Sequence, residues 1–227
     1  MKTITIDQHS CLIDECESAK AIIIECLFED SVKTLEEELT LAREMTQTPF
    51  IYIGVLVQDW DDELSPWHTP MAYGNESFNG NGMITKEWLM NSLIPYLRNT
   101  YGDHQDYYLV GYSLAALFAL WCGYEEEGFK GIGSASPSVW FAGWADYMKQ
   151  NFKCDKIYLS LGNKEHKTRN QTLRKVKQMI EAQYQVLQAQ DKNCQLEMNS
   201  GNHFQNVPER MAKAISWLLN DENMSQL

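Results

Sequence analysis

Short apolar runs without polar–apolar alternation recur along this chain, and each is followed by a helical pattern. Residues 21–28 (Ala-Ile-Ile-Ile-Glu-Cys-Leu-Phe) and 50–57 (Phe-Ile-Tyr-Ile-Gly-Val-Leu-Val, entered through Pro49) are the clearest. Strands of this kind are buried on both faces, which happens when helices cover both sides of a parallel sheet. Further strands are predicted at residues 107–110, 131–135, 156–162 and 194–198. Helical patterns lie near residues 32–45, 86–101, 140–150 and 207–220, with a bend expected at Pro95. Leu173, Val176, Ile180, Tyr184 and Leu187 mark one face of another helix. This β-α alternation predicts one α/β domain over residues 1–227, a mostly parallel sheet with helices on both faces in a three-layer sandwich. Ligands of such sheets bind at the carboxyl ends of the strands.

Composition narrows the setting. The chain is 44% hydrophobic with a formal net charge of -12, which argues against nucleic acid and anionic membranes as partners. No apolar run approaches the ~18 residues that cross a bilayer, and residues 1–7 lack the apolar stretch of a signal peptide. Six cysteines carry no C-x-x-C spacing and several lie inside apolar runs, so a reduced, cytoplasmic location is expected.

The stretch that carries chemistry is Gly111-Tyr112-Ser113-Leu114-Ala115, between the apolar run 107–110 and a second run from Leu114 to Trp121. A serine on a tight strand-turn-helix bend, with small residues two before and two after, is the pattern of a nucleophile elbow. Gly111 alone among the thirteen glycines has serine two positions later. By composition such a pattern arises by chance about once in six chains of this length, so the partners of the serine must decide. A serine needs a base, and the base an orienting acid. In the hydrolase arrangement both follow the serine, acid first. His9, His68 and His104 precede Ser113; His166 lies where the acid is expected; His203 follows the last strand and precedes the last helix. His203 is therefore the candidate base. Glu165, in Gly162-Asn163-Lys164-Glu165, leaves a strand at its carboxyl end and is the candidate acid. The oxyanion hole would use the N–H of Leu114 and a second donor after the first long strand, at Glu29, Asp30 or Ser31, with Asp30 taken as the candidate.

With these residues in place the chain resembles the putative esterase family of α/β-hydrolases, the group around enterochelin esterases and esterase D. The likeness runs from about Ala21 to Leu219. It is carried by Trp60-Asp61-Asp62-Glu63-Leu64-Ser65-Pro66-Trp67, Leu93-Ile94-Pro95-Tyr96, the elbow, Ser134-Ala135-Ser136-Pro137-Ser138, Gly162-Asn163-Lys164-Glu165 and Gly201-Asn202-His203. Ala115 replaces the family's usual glycine, Phe28-Glu29-Asp30 stands in place of an aspartate-glycine turn, and the short N-terminal part implies a trimmed sheet. The resemblance implies an α/β-hydrolase fold and hydrolysis of a small-molecule carboxylic ester by Ser113, Glu165 and His203, without metal or organic cofactor. An acyltransferase on the same triad and a catalytically inactive binding protein are the rivals, and a homo-oligomer is left open. The long segment 58–85 would roof the pocket, with Trp60, Trp67, Trp140 and Tyr112 as substrate-binding candidates and His68 as a further lining residue. The acidic run Asp59, Asp61, Asp62, Glu63 would disfavour anionic substrates if it faced that pocket.

Overall fold

Hydrophobic periodicity places most elements correctly, and the computed structural model, which describes residues 1–72 and 74–220, shows how they assemble. Strands β1 (Lys2–Ile6) and β2 (His9–Asp14) form an antiparallel hairpin. Its two-residue turn, Asp7-Gln8, has both residues at positive φ, the turn geometry that matches strand twist. Asp-Gln lacks the glycine that usually announces such a turn, so the hairpin escaped sequence reading. The short N-terminal part thus extends the sheet by two strands.

β3 (Ala21–Leu27) is buried at every position and leads through a 3-10 turn, Glu29–Thr34, into α1 (Leu35–Met45). β4 (Phe50–Leu56) follows. The connection after it holds α2 (Trp60–Glu63) and a small ribbon of β5 (Thr69–Pro70) and β6 (Ser77–Phe78). Next come α3 (Gly82–Trp88), a π-helical turn Leu89–Leu93, and α4 (Ile94–Tyr101). Pro95 sits in the first turn of α4, where its missing N–H leaves no helical bond broken, and the wide turn before it carries the chain past the ring. β7 (Asp106–Tyr112) then enters α5 (Leu114–Glu125). β8 (Gly131–Ala135) is followed by α6 (Trp144–Tyr147), shorter than the expected helix over 140–150 because Gly143 turns left-handed at its start. β9 (Lys156–Gly162), α7 (Val176–Ala189), β10 (Asn193–Asn199) and α8 (Val207–Leu219) complete the order.

The main sheet has eight strands in the order β1-β2-β4-β3-β7-β8-β9-β10, parallel from β4 to β10. One face packs Ile23, Tyr52 and Val110 under α1 and α8. The other packs Ile24, Leu109 and Leu159 under α3 to α5 and α7. α5 is buried from Leu114 to Tyr124, so the chain leaves β7 straight into the interior. That fixes Ser113 between a strand buried over 107–111 and a helix buried over its first eleven residues.

Under α1 the core contains an acid pair. Glu25 on β3 and Glu38 on α1 are both buried, and the Tyr52 hydroxyl donates to Glu25 Oε2 at 2.6 Å. Glu38 Oε1 has no hydrogen-bond partner. Burial pushes the Glu25 carboxyl up to about 7 against the partial offset of the Tyr52 bond, and burial plus the nearby Glu25 pushes Glu38 well above the carboxylate range. A carboxyl whose folded-state pKa is raised stabilises the fold below its unfolded value of 4.5 and loses that contribution as pH climbs through about 7. Glu38→Gln removes one acid of the pair. Wild type is therefore expected to lose about 1–3 kcal/mol relative to Glu38→Gln between pH 5 and pH 8, read by urea unfolding at both pH values. Parallel stability at the two pH values would show that the pair does not titrate.

Candidate active site

Ser113 has φ 58° and ψ -116°, a conformation costly for a residue with a side chain, and it is held there by the elements on either side. Its N–H donates to the Ala135 carbonyl, and its own carbonyl accepts from Leu117 and Ser138. The close approach at the elbow depends on Gly111. A Cβ there would lie 2.5 Å from the Ala115 carbonyl carbon and 2.6 Å from its oxygen. The same Cβ would stand 2.9 Å from the Ala115 methyl, so that methyl occupies space Gly111 leaves open. One glycine serves the contact that two usually share.

The Ser113 hydroxyl makes no helix-capping bond. Its Oγ stands 3.0 Å from His203 Nε2, and His203 Nδ1 stands 2.8 Å from Glu165 Oε2. The carboxylate therefore holds the proton on Nδ1 and leaves Nε2 free to accept from the serine. Glu165 Oε1 receives the Gly162 N–H at 2.6 Å, the Ser136 hydroxyl at 2.7 Å and Arg210 Nη1 at 2.9 Å. Burial alone would raise this carboxyl. The bonds from His203 and Ser136, the His203 charge and the Gly162 N–H outweigh it and hold Glu165 below the usual carboxylate value. Gly162 makes room for this packing: a Cβ there would lie 2.7 Å from both Glu165 Oε1 and Arg210 Nη2.

Arg210, one residue in the otherwise apolar face of α8, was not singled out from the sequence. It is 1% exposed. Nη1 also donates to the Tyr112 hydroxyl at 2.8 Å and Ser136 Oγ at 3.0 Å, and Nη2 to the carbonyls of Ser200 and Asn202. The Tyr112 hydroxyl in turn donates to the His203 carbonyl at 2.7 Å, and its ring lies 5.2 Å from the imidazole. Burial pushes that phenol up to about 12, so it stays a donor at neutral pH. Tyr112 thus braces the His203 loop.

A cavity of about 550 Å³ opens beside the serine. Trp140, Leu173, Val176 and Phe204 give it an apolar side, and Lys164 and Lys167 a cationic one. Among the described residues, none of 58–85 lines it. That segment packs behind the site: Trp67 stacks among Phe141, Trp144 and Tyr147 with its indole N–H on the Ala142 carbonyl, and Phe78 packs on Phe141 and Trp140. Trp60 meets the edge of Phe28, outside the cavity. His68 is also outside it. Lining comes instead from the segment after β9, with Lys164, Lys167 and Thr168 on the loop and Leu173 and Val176, two residues of the predicted helix face, just before and at the start of α7.

The Leu114 N–H stands at the first position of α5, among the first-turn groups that find no intrahelical acceptor. On the β3 side, the Ser31 N–H is used within the turn by the Phe28 carbonyl, and the Asp30 carboxylate pairs with Lys33 at 2.6 Å. The backbone N–H groups of Glu29 and Asp30 begin the 3-10 helix and are the donors left at that edge.

Sheet order, elbow and site define the α/β-hydrolase class. A family model described as "Putative esterase" matches residues 28–207, and the chain belongs to that family, making it a carboxylic ester hydrolase. Solved structures share the fold at low identity. An IroE-like serine hydrolase from Shewanella oneidensis superposes with TM-score 0.76 at 14% identity, covering 93% of this chain and 75% of that one. The siderophore hydrolases EstA and EstB from Aspergillus nidulans give 0.74 at 15% (93% and 90% covered) and 0.75 at 13% (97% and 94%). No curated protein matches the chain significantly in sequence. Among the described residues no helix is long and apolar enough to cross a membrane.

Gly111→Ala tests the elbow. The added methyl must displace the α5 start, and a shift near 1 Å is expected to cost about 100-fold in kcat/KM for p-nitrophenyl acetate, with the circular dichroism spectrum retained. Near-wild-type turnover would mean that the elbow yields without moving Ser113.

Proposed function

We propose that the chain hydrolyses a small carboxylic ester through Ser113, His203 and Glu165 by way of an acyl-enzyme. The relay of 3.0 Å and 2.8 Å on a strained elbow carries this reading. Ser113 Oγ attacks the ester carbonyl carbon while its proton passes to His203 Nε2. Glu165 holds the imidazolium that forms. The tetrahedral oxyanion meets the N–H of Leu114 and a second N–H from Glu29 or Asp30, donors worth ~3–4 kcal/mol each in comparable sites. Collapse breaks the ester C–O bond, and the alcohol leaves with the proton from Nε2. Water then attacks the acyl carbon, giving its proton to the same nitrogen, and the carboxylic acid departs as Ser113 recovers its hydrogen. No step calls for a metal. The complete relay speaks against an inactive binding protein. Six free thiols, four of them buried, support a reducing, cytoplasmic setting.

Fluorophosphonate labelling tests the nucleophile directly. Wild type should incorporate one equivalent at Ser113 and lose esterase activity, while Ser113→Ala should take up none and fall by at least ~10⁴-fold. Labelling elsewhere, or activity in Ser113→Ala, would overturn the assignment.

Arg210 serves in this scheme as a positioning residue. It holds Glu165 from behind and anchors the carbonyls on either side of Gly201, next to His203. Its charge also weakens the hold of the carboxylate on the imidazolium. Arg210→Met should therefore lower kcat about 10–100-fold and move the acid limb of the kcat/KM profile to higher pH, with Arg210→Lys restoring the limb in part. A uniform loss with an unmoved acid limb would reduce Arg210 to a packing role.

A further inference from the structure

The charge of the cavity is opposite to that of the chain. Of its lining residues Lys164, Lys167 and Glu165 carry formal charge at neutral pH. Glu165 is already matched: one oxygen lies on buried Arg210 and the other on His203. Lys164 and Lys167 are exposed, and among the described residues neither makes an ion pair. They begin a segment, residues 164–175, with five basic residues and one acidic, in a chain with 31 acidic and 19 basic. The backbone sets them beside the serine: the Lys164 N–H bonds the Gly201 carbonyl, two residues before His203, and the Lys167 N–H closes back on Lys164.

The acidic run that might have cancelled this field lies outside the cavity. Glu63 Oε1 accepts the N–H groups of Gln58 and Asp59, Asp59 caps α2 through the Asp62 N–H, and the Asp62 carboxylate binds the Asn81 amide. None of them lines the cavity. The lining also includes the apolar side chains of Trp140, Leu173 and Val176, and Phe204, which is 87% exposed. A cavity of about 550 Å³ is of the size that takes a small molecule.

We infer that the preferred substrates are esters with an apolar or aromatic body that also carry an anionic oxygen group, a carboxylate or phosphate, which Lys164 and Lys167 bind. The inference rests on the ester-hydrolase reading of Ser113 and specifies its substrate class. Charge selection here acts across a short, partly solvated gap, so it is sensitive to salt.

The test compares 4-acetoxybenzoate with phenyl acetate and reads the ratio of their kcat/KM values, which cancels any general damage to the catalytic groups. In the Lys164→Gln/Lys167→Gln double variant the ratio should fall about tenfold, and in Lys164→Arg/Lys167→Arg it should be kept. For wild type, raising NaCl from 20 to 500 mM should lower the same ratio, a measurement that needs no variant. An acetate ester of a trimethylammonio phenol should be the poorest of the three. A ratio unmoved by both the glutamine variant and salt, with phenyl acetate still hydrolysed, overturns the charge assignment and leaves the hydrolase reading standing. Failure of wild type to turn over any of the esters overturns the hydrolase reading and this inference with it.

Discussion

A guanidinium buried to 1% exposure cannot be left unpaired, since the charge gives up water on folding and must recover its interactions inside. Arg210 does so through its two terminal nitrogens, which meet five acceptors drawn from the ends of β7, β8, β9 and β10, Tyr112, Ser136, Glu165, Ser200 and Asn202, while Nε has no partner among the described residues. Those strand ends carry, or lead directly into, the three residues of the relay. Satisfying one buried charge therefore brings the serine, the acid and the histidine into register. The fold meets the same cost in another way at Glu25 and Glu38. With no cation beside them, burial raises both carboxyls, and holding a proton replaces pairing with a partner. One buried ionisable cluster is organised by a fixed charge and the other by a movable proton.

The elbow shows a related economy in backbone. Ser113 and Ser136 both sit at positive φ, at the ends of adjacent strands, and the Ser138 N–H ties the second loop to the Ser113 carbonyl. Strain of this kind persists where surrounding structure over-determines it. Here the surroundings are β7 and an α5 buried for eleven residues, joined at a glycine with no room for a methyl. Ala115 is compatible with the motif because the space for its methyl comes from Gly111. The small residue the turn needs can be placed on one side of the contact.

How much of this was legible in the sequence follows from what kind of constraint each residue answers to. The candidates Ser113, Glu165 and His203 could be named because strand ends in a parallel sheet converge on one edge, so chain order predicts neighbourhood, and the structure brings the three within hydrogen-bond reach. The strands themselves were legible because burial on both faces writes a continuous apolar run. Trp67 was placed in the pocket wrongly, because an indole in a loop packs equally well behind a site or in front of it, and here it packs on Phe141, Trp144 and Tyr147 outside the cavity. The hairpin of β1 and β2 was missed because its turn uses Asp7 and Gln8 in a conformation that ordinarily selects glycine or asparagine. Arg210 left a faint signal, a cation among Met211, Ala212, Ala214 and Ile215 on a helix face that is otherwise core. Such a residue is readable as a buried charge, but its partners come from four separate loops that no local pattern connects.

The charge of the molecule makes the same point at longer range. A net charge of -12 describes the chain at distances beyond the roughly 8 Å over which salt screens exposed charges. Inside that distance the field belongs to the nearest unpaired groups. Of the carboxylates after β4, Asp59, Asp62 and Glu63 bond the segment's own backbone and Asn81, and none of the run lines the cavity beside the serine. The acid of the relay is matched by Arg210 from behind. Beside Ser113 the unpaired charges lining the cavity are two lysines, whose backbone positions are fixed by the same loop that carries Glu165. The turn after β9 thus carries Glu165 and both lysines, and a change in its path would move all three together.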